Sequence, residues 1–128
     1  MKIGDAAKRS GLPVKTVRYY ADIGLVEPAR QTNGYRDYGD AELRRLSFIG
    51  RARAFGFSID ECRRLLGLYD DPNRASSDVK ALAEAHVTAL DRKLAELHTL
   101  RDELSAIASE CAGDDGARCP IIEHLAAP

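Results

Sequence analysis

Apolar residues recur at helical spacing near the start of the chain. In "IGDAAKRSG", Ala6 and Ala7 fall on the apolar face, and Gly11 suits the turn that ends a helix. "LPVKTVRYYADIG" repeats the pattern, with Pro13 at an early helical position and Val17 facing inward. Two short helices joined by a turn that contains glycine predict a helix-turn-helix unit.

The next stretch, "LVEPARQTNGYRDYG", loses the helical spacing. Pro28 ends any helix, and Asn33-Gly34 is a strong hairpin signal because a type I′ turn needs positive φ at both central residues. We therefore predict two short strands, over about residues 28–31 and 35–38, that form a wing beside the helix-turn-helix.

Two more amphipathic helices follow, in "DAELRRLSFIGRARAFG" and "SIDECRRLLGLYDD". In the second, Ser58 and Glu61 have the spacing of a capping box, in which each side chain accepts a hydrogen bond from a backbone N–H at the helix start. Cys62 lies on the apolar face with Leu66, so we expect it to be a small core residue.

Beyond a break at Pro72, residues 78–109 contain neither proline nor glycine. Apolar positions recur there at seven-residue spacing, which predicts a rod of about 45 Å at 1.5 Å per residue. Such a rod cannot bury its own apolar stripe, and a second copy of the chain is the simplest partner. A helix packed back on its own N-terminal domain is the alternative. The stripe comprises Val79, Ala83, His86, Val87, Leu90, Leu94, Leu97, Leu100, Leu104 and Ile107.

Charge separates the two halves of the chain. Residues 1–75 carry 14 Lys and Arg against 10 Asp and Glu, a net of +4, whereas residues 76–128 carry 5 against 10, a net of −5. The basic half suits a polyanionic partner. With no signal peptide and no apolar run of about 20 residues, we expect a cytoplasmic protein without a membrane partner, whose thiols stay reduced.

Basic and tyrosine side chains gather on the predicted helix-turn-helix and wing. Lys15 and Arg18 lie one turn apart on the second helix, where they can reach base edges or phosphates in a DNA major groove. Tyrosine hydroxyls and guanidinium groups bind phosphate oxygens, so the surrounding residues are candidate backbone contacts. These are Tyr19, Tyr20, Arg30, Tyr35, Arg36, Tyr38 and Arg53. The alternative is that they solvate an ordinary protein surface.

Cys111 and Cys119 bracket a flexible segment, "CAGDDGARC", near the end of the chain. Two thiolates are soft ligands and favour a monovalent ion such as Cu(I), Ag(I) or Au(I), whereas Zn(II) normally takes four ligands. A disulfide, an incidental pair in an unstructured tail, and a zinc site that adds His124 are the alternatives. His86 and His98 fit packing or surface roles better than metal ligation, and no set of catalytic residues is evident.

The run "TVRYY…GL…P…R…NGYR.Y" resembles the winged helix-turn-helix of MerR-type transcription regulators. "DPNRASSDVK" and "CAGDDGARCPIIEHL" resemble the copper-efflux (CueR-like) branch. The resemblance implies a mainly α fold: a winged helix-turn-helix DNA-binding domain over residues 1–70, a hinge and antiparallel coiled-coil dimerisation helix over 71–109, and a metal-binding loop over 110–128.

The same resemblance implies a homodimeric activator that binds one Cu(I), or Ag(I) or Au(I), per protomer at Cys111 and Cys119. Its members distort promoter DNA so that RNA polymerase can use it, and those of the copper branch act on efflux and detoxification genes. Divalent-metal sensors of the family carry a third cysteine where this chain has Ser76, so Ser76 is expected to set ion selectivity. A divalent sensor and a metal-buffering protein are the alternatives.

Overall fold

The computed structural model describes all 128 residues, and they form six helices and one two-stranded sheet. Two compact units divide the chain, Met1–Val79 and Lys80–Pro128. The predicted mainly α architecture is confirmed. The elements are α1 (Ile3–Ser10), α2 (Val14–Asp22), β1 (Ala29–Arg30), β2 (Arg36–Asp37), α3 (Asp40–Ala54), α4 (Ile59–Asp70), α5 (Ser76–Ser109) and α6 (Pro120–Ala126).

In the first unit, α1 and α2 form the predicted helix-turn-helix. Gly11 ends α1 with a left-handed φ of 72°, a conformation that glycine adopts without steric cost. Pro13 lies just before α2, as its N-cap, and starts that helix without a side-chain hydrogen bond. Ala6 and Val17 are fully buried, so the two helices turn their apolar faces to a common core.

The core of this unit is small and well covered. It includes fully buried side chains from the segment after α2, from the end of the wing and from α3. The packing explains the helical spacing of the sequence, since each helix contributes the face on which its apolar residues recur. The core residues are Ala6, Ala7, Val17, Tyr20, Leu25, Val26, Tyr38, Leu46, Ile49 and Leu66.

The wing is an antiparallel hairpin, shorter than predicted, in which Ala29 pairs with Asp37 and Arg30 with Arg36. The predicted type I′ turn is wrong, because Asn33 does not have a positive φ. Five residues connect the strands, and a turn closed by the Gly34 N–H and the Gln31 carbonyl (2.9 Å) is completed by left-handed Gly34 at φ 84°. The longer loop removes the need for positive φ at two successive residues.

The predicted capping box at the start of α4 is confirmed. The Glu61 N–H donates to Ser58 Oγ at 3.1 Å, and the Ser58 N–H donates to Glu61 Oε1 at 2.9 Å. Cys62 and Leu66 are the buried residues of this helix, as their shared face predicts. Burial raises the pKa of the Cys62 thiol, which is typical of a core cysteine.

The second unit consists of most of α5, a loop and α6. Helix α5 has 34 residues, a length of about 51 Å, and begins at Ser76, so Ser76 lies in its first turn rather than ahead of it. Its apolar stripe is largely exposed in a single chain: Leu94 is 64% exposed and Leu104 is 56% exposed. His86 is the buried residue of the helix.

The last helix, α6, is not predicted from the sequence pattern. It has seven residues and starts at Pro120, a residue suited to the first helical position because it has no N–H to satisfy. The loop before it turns at Gly113, where φ is 66°. None of the helices is long and apolar enough to span a membrane.

Candidate nucleic-acid interface and metal centre

The outer face of α2 carries three of the residues predicted to contact DNA. Lys15, Arg18 and Tyr19 are exposed, whereas Val17 and Tyr20 face the core. This division follows from helix geometry, because residues 17 and 20 are three positions apart and share one face. Helix α2 therefore presents two cations and one phenol to solvent from the second helix of the helix-turn-helix unit.

The wing presents a second group of predicted contacts. Tyr35 is 71% exposed at the hairpin loop, and Arg30 Nη1 donates to the Gly34 carbonyl oxygen at 2.9 Å, which ties the arginine to that loop. Arg36 is half-buried and its Nη2 lies 2.8 Å from Asp22 Oδ1, at the end of α2. The wing arginines are thus held by local contacts rather than extended freely into solvent.

A cleft of about 630 Å³ lies between the wing, the start of α1 and Arg18 of α2. Four cationic side chains line it, and an anionic ligand such as a nucleic-acid backbone suits a concave surface of that charge. The cations are Lys2, Arg18, Arg30 and Arg36. Lys2 is not among the predicted DNA contacts, since a lysine at the second residue carries no local signal that it lies beside the wing.

Arg53, the remaining predicted arginine, does not line this cleft. Its side chain is exposed near the end of α3, and Arg53 Nη1 donates to the Phe57 carbonyl oxygen at 2.8 Å, across the turn between α3 and α4. Arg53 therefore helps to hold that turn. The structure brings Arg18, Arg30 and Arg36 together and leaves Arg53 outside the group.

The expectation that Tyr20 and Tyr38 lie on the DNA-facing surface is wrong for this conformation. Tyr20 is 5% exposed and Tyr38 is fully buried. Both rings pack in the core of the first unit. Burial of the large apolar ring stabilises the fold by more than dehydration of the hydroxyl destabilises it. The sequence could not distinguish them from Tyr19 and Tyr35, because tyrosine suits both environments.

The Tyr38 hydroxyl is an unusual feature of this core. It is buried, and no group meets it with full hydrogen-bond geometry, although the Arg36 guanidinium lies near enough to interact with it. Burial raises the pKa of Tyr38, while the nearby positive charges of Arg36 and Arg18 act in the opposite direction. The hydroxyl therefore lies close to the arginines of the cleft without reaching the surface.

The two cysteines of the C-terminal loop face each other. Cys111 Sγ and Cys119 Sγ are 3.9 Å apart, about twice the length of a disulfide bond, and both thiols are free. The Gly116 N–H donates to Asp114 Oδ1 at 2.9 Å, which closes a short turn inside the loop. The loop therefore brings the two sulfur atoms together, and their role as metal ligands stays a prediction.

Helix α6 shapes the electronic environment of one sulfur. The backbone N–H groups at the start of α6, that of Ile122 foremost and then that of Ile121, lower the pKa of the Cys119 thiol, and Cys111 adds to the effect. None of these N–H groups makes a cap hydrogen bond to the sulfur, so the effect comes from nearby donors rather than from a formed bond. A lowered pKa favours the thiolate, which is the form that binds metal. The pair is thus a candidate site for one soft ion.

No group of three or more His, Cys, Asp and Glu side chains in this chain is arranged to hold a metal ion. His124 is exposed on α6 and does not form such a group with the cysteine pair. His98 lies on the surface of α5, with Nδ1 3.4 Å from Asp102 Oδ2. The chain itself therefore offers two sulfur ligands at this place.

Asp22 is a second residue that sequence reasoning missed. It lies in the last turn of α2, fourteen positions before its partner Arg36, so no local pattern links the two. Only the folded hairpin brings them into contact.

Two family models match the chain, one described as "MerR HTH family regulatory protein" over residues 1–68 and one as "MerR, DNA binding" over residues 43–107. The chain is 51% identical to the HTH-type transcriptional regulator HmrR of Rhizobium leguminosarum bv. viciae, covering 98% of this chain and 97% of that one. It is 44% identical to the HTH-type transcriptional regulator CueR of Salmonella typhimurium, covering 98% and 91%.

Among solved structures, the transcription regulator PbrR691 from Ralstonia metallidurans CH34 in complex with lead(II) has the same fold. Its TM-score is 0.83 at 38% sequence identity, and the match covers 98% of this chain and 99% of that one. With the family models, the relatives and the geometry in agreement, the chain belongs to the MerR family of helix-turn-helix regulatory proteins and is a transcriptional regulator rather than an enzyme.

Proposed function

We propose that this protein is a homodimeric, metal-responsive transcription activator that senses Cu(I), or another soft monovalent ion such as Ag(I) or Au(I). One ion per protomer would be held by Cys111 and Cys119. The observation that carries the proposal is the pair of facing sulfur atoms, 3.9 Å apart, with no third ligand grouped beside them in the chain.

The separation of the sulfurs suits one bridging ion. If the zinc–sulfur bond of about 2.3 Å is taken as a guide to metal–thiolate distances, two sulfurs on opposite sides of an ion are about 4.6 Å apart. The observed 3.9 Å is shorter than this by about 0.7 Å, a difference that rotation of the two side chains can supply. Two thiolates are also the soft donors that monovalent copper prefers.

Charge supports a monovalent ion as well. Two thiolates and one singly charged ion leave a net charge of −1, which needs hydrogen-bond donors if the site is dry. The N–H groups of Ile122 and Ile121 at the start of α6 lie near Cys119 and lower the pKa of its thiol. These donors stabilise negative charge on sulfur without adding a third ligand.

Ser76 supports the same selectivity through the family resemblance. Divalent-metal sensors of the family carry a cysteine at the matching position, and a serine hydroxyl is a poor ligand for a soft ion. Ser76 is exposed in the first turn of α5. We infer that the serine keeps the ligand set at two sulfurs.

Dimerisation is supported by the exposed stripe on α5. Leu94, Leu97, Leu100 and Leu104 are each more than half exposed in the single chain. Burial of apolar surface contributes roughly 25 cal/mol per Å², so a second copy that covers this stripe gains substantial free energy. In line with the family resemblance, we propose that two α5 helices pair in antiparallel orientation.

For the DNA, we propose that α2 enters a major groove with Lys15 and Arg18, and that Tyr19 lies at its edge. Arg30, Tyr35 and Arg36 of the wing would contact phosphates, with Arg53 as a further backbone contact. The cationic cleft between the wing, the start of α1 and Arg18 of α2 supports this assignment. Promoter DNA and RNA polymerase are the partners, in the cytoplasm, and copper efflux and detoxification genes are the targets.

Activation would follow from a change in DNA shape. Bending or untwisting a promoter costs about 1–6 kcal/mol. An ion that binds one shape of the dimer more tightly than another shifts the population towards that shape. Cys111 and Cys119 would supply this preference, and the DNA-binding units would transmit it to the promoter.

The test is a metal titration of the reduced protein, followed by X-ray absorption spectroscopy of the loaded site. Two sulfur neighbours per Cu(I), one ion per protomer, and loss of binding in Cys111→Ser and Cys119→Ser are expected. Three or more protein ligands around the physiological ion would refute the two-sulfur proposal. The Cys62→Ser variant is the matched control, because that thiol is buried in the other unit.

A divalent sensor is the second candidate, and the similarity to PbrR691 in complex with lead(II) favours it. The same titration with Pb(II), Zn(II) and Hg(II) distinguishes the two. Tighter binding of a divalent ion, together with stronger promoter activation by it, would favour this candidate. A protein that binds metal but shows no salt-dependent affinity for DNA would be a metal buffer instead.

A further inference from the structure

The carboxylate of Asp22 joins the end of α2 to the wing. Arg36 Nη2 donates to Asp22 Oδ1 at 2.8 Å, and both residues belong to the first compact unit. The aspartate side chain is 55% exposed and the arginine side chain 23% exposed. An ion pair this accessible to water contributes little to stability, typically about 0.2–1 kcal/mol.

Helix α2 itself gains nothing from this acid. Asp22 is the last residue of α2, and the last turn contains no basic residue. The helix dipole places partial negative charge there, so a carboxylate at this end is unfavourable to the helix. The favourable contact of this carboxylate is therefore with Arg36 of β2, outside α2.

The position is also unfavourable for simple DNA electrostatics. Arg36 lines the cationic cleft together with Lys2, Arg18 and Arg30, and Asp22 adds a negative charge beside it. A negative charge next to a polyanion lowers affinity when charge alone matters. A useful role for Asp22 must therefore come from geometry.

We propose that Asp22 is a positioning residue for DNA binding, which holds the Arg36 guanidinium and the wing against α2. In this arrangement the cations of the wing and of α2 face one continuous groove. Since the role concerns how DNA is bound, the inference rests on the DNA binding proposed above.

The first experiment measures the DNA affinity of Asp22→Asn over a range of salt concentrations. The probe is a duplex selected from a random-sequence library by the wild-type protein. Although the change removes a negative charge, we expect affinity to fall about 2- to 5-fold, the range of an exposed ion pair. The slope of log affinity against log salt concentration should become shallower, by about 0.9 for each phosphate that the variant no longer neutralises.

Two matched variants separate positioning from charge. Glu27→Gln removes one exposed acid for which the structure gives no ion pair in the same unit, and its affinity should stay equal or rise slightly. Asp22→Glu keeps the carboxylate and should restore most of the affinity. The Tm of Asp22→Asn should differ little from that of the wild-type protein. The substitution removes the ion pair, but it also removes an unfavourable negative charge from the C-terminal end of α2.

A double-mutant cycle with Arg36→Ala decides whether Asp22 acts through Arg36. In the Arg36→Ala background, Asp22→Asn should cause no further loss of affinity. Equal or tighter binding by Asp22→Asn in the wild-type background would overturn the inference, as would the same loss in both backgrounds. If the wild-type protein selects no duplex, the proposed function fails and the positioning role fails with it.

Discussion

The buried hydroxyl of Tyr38 gives a quantitative test of the core of the DNA-binding unit. The side chain is fully buried, and no group meets its hydroxyl with full hydrogen-bond geometry, the Arg36 guanidinium being the nearest donor. The Tyr38→Phe change removes this one oxygen and keeps the ring, so the packing around it is retained. Leaving a buried polar group unsatisfied costs about 1–3 kcal/mol. Phenylalanine should therefore be the more stable residue here.

The expected gain is at the lower end of that range. Arg36 and Arg18 lie near enough to influence the hydroxyl, and their positive charges stabilise its lone pairs. We therefore expect Tyr38→Phe to raise the free energy of unfolding by about 1 kcal/mol. For domains of this size, 1 kcal/mol corresponds to a rise in Tm of roughly 2–8 °C.

The assay is thermal or urea unfolding of the wild-type and variant proteins at one protomer concentration, since the Tm of a dimer depends on concentration. Tyr35→Phe is the matched control, because its hydroxyl belongs to a side chain that is 71% exposed. Its stability should change by less than about 0.5 kcal/mol. A Tyr38→Phe protein less stable than wild type would show that the hydroxyl is satisfied in the folded state.

The same variant tests whether Tyr38 contacts DNA. Since the ring and hydroxyl are buried, we expect Tyr38→Phe to bind the selected duplex with an affinity within about twofold of wild type, a difference below about 0.5 kcal/mol. A loss of tenfold or more without a loss of stability would restore Tyr38 to the DNA contacts and refute the burial argument.

Three further predictions concern the sensor loop and the DNA surface. Cys111→Ser or Cys119→Ser should abolish metal-induced transcription in a reporter assay while leaving the DNA affinity of the metal-free protein unchanged; loss of both would contradict a separate sensor loop. Arg18→Ala should weaken operator binding by about 1–3 kcal/mol in a gel-shift titration, and an unchanged affinity would remove Arg18 from the contacts. Ser76→Cys should improve the transcriptional response to divalent ions, because it adds a third thiolate, and an unaltered response would contradict the selectivity role of Ser76.

Local chemistry makes most of the helical structure predictable. The capping box at Ser58 and Glu61 depends on residues three positions apart, so the sequence contains the whole signal. The end of α1 at Gly11 is predictable for the same reason. The turn at Asn33-Gly34 is predicted in the right place with the wrong geometry, because the number of loop residues depends on where the strands pair.

Features that depend on tertiary contacts are harder to predict. Tyr38 is buried because the core of the first unit closes around it, and tyrosine alone does not specify that environment. The Asp22–Arg36 pair spans fourteen positions and forms only when the hairpin lies beside α2. The proximity of the two cysteine sulfurs is predictable, since short loops bring their ends together.

The proposed sensor and the proposed DNA surface lie in different compact units, Lys80–Pro128 and Met1–Val79. Under the proposed function, the ion therefore acts by favouring one shape of the dimer, and its effect is limited by the difference in its affinity for the two shapes. To offset a DNA deformation of about 3 kcal/mol, the bound ions together must favour the DNA-distorting shape of the dimer by about 140-fold in affinity. If the two ions of a dimer share this free energy equally, each ion needs to bind the favoured shape only about 12-fold more tightly. A modest change in how Cys111 and Cys119 face each other is then sufficient, so a site with two sulfur ligands can drive the switch.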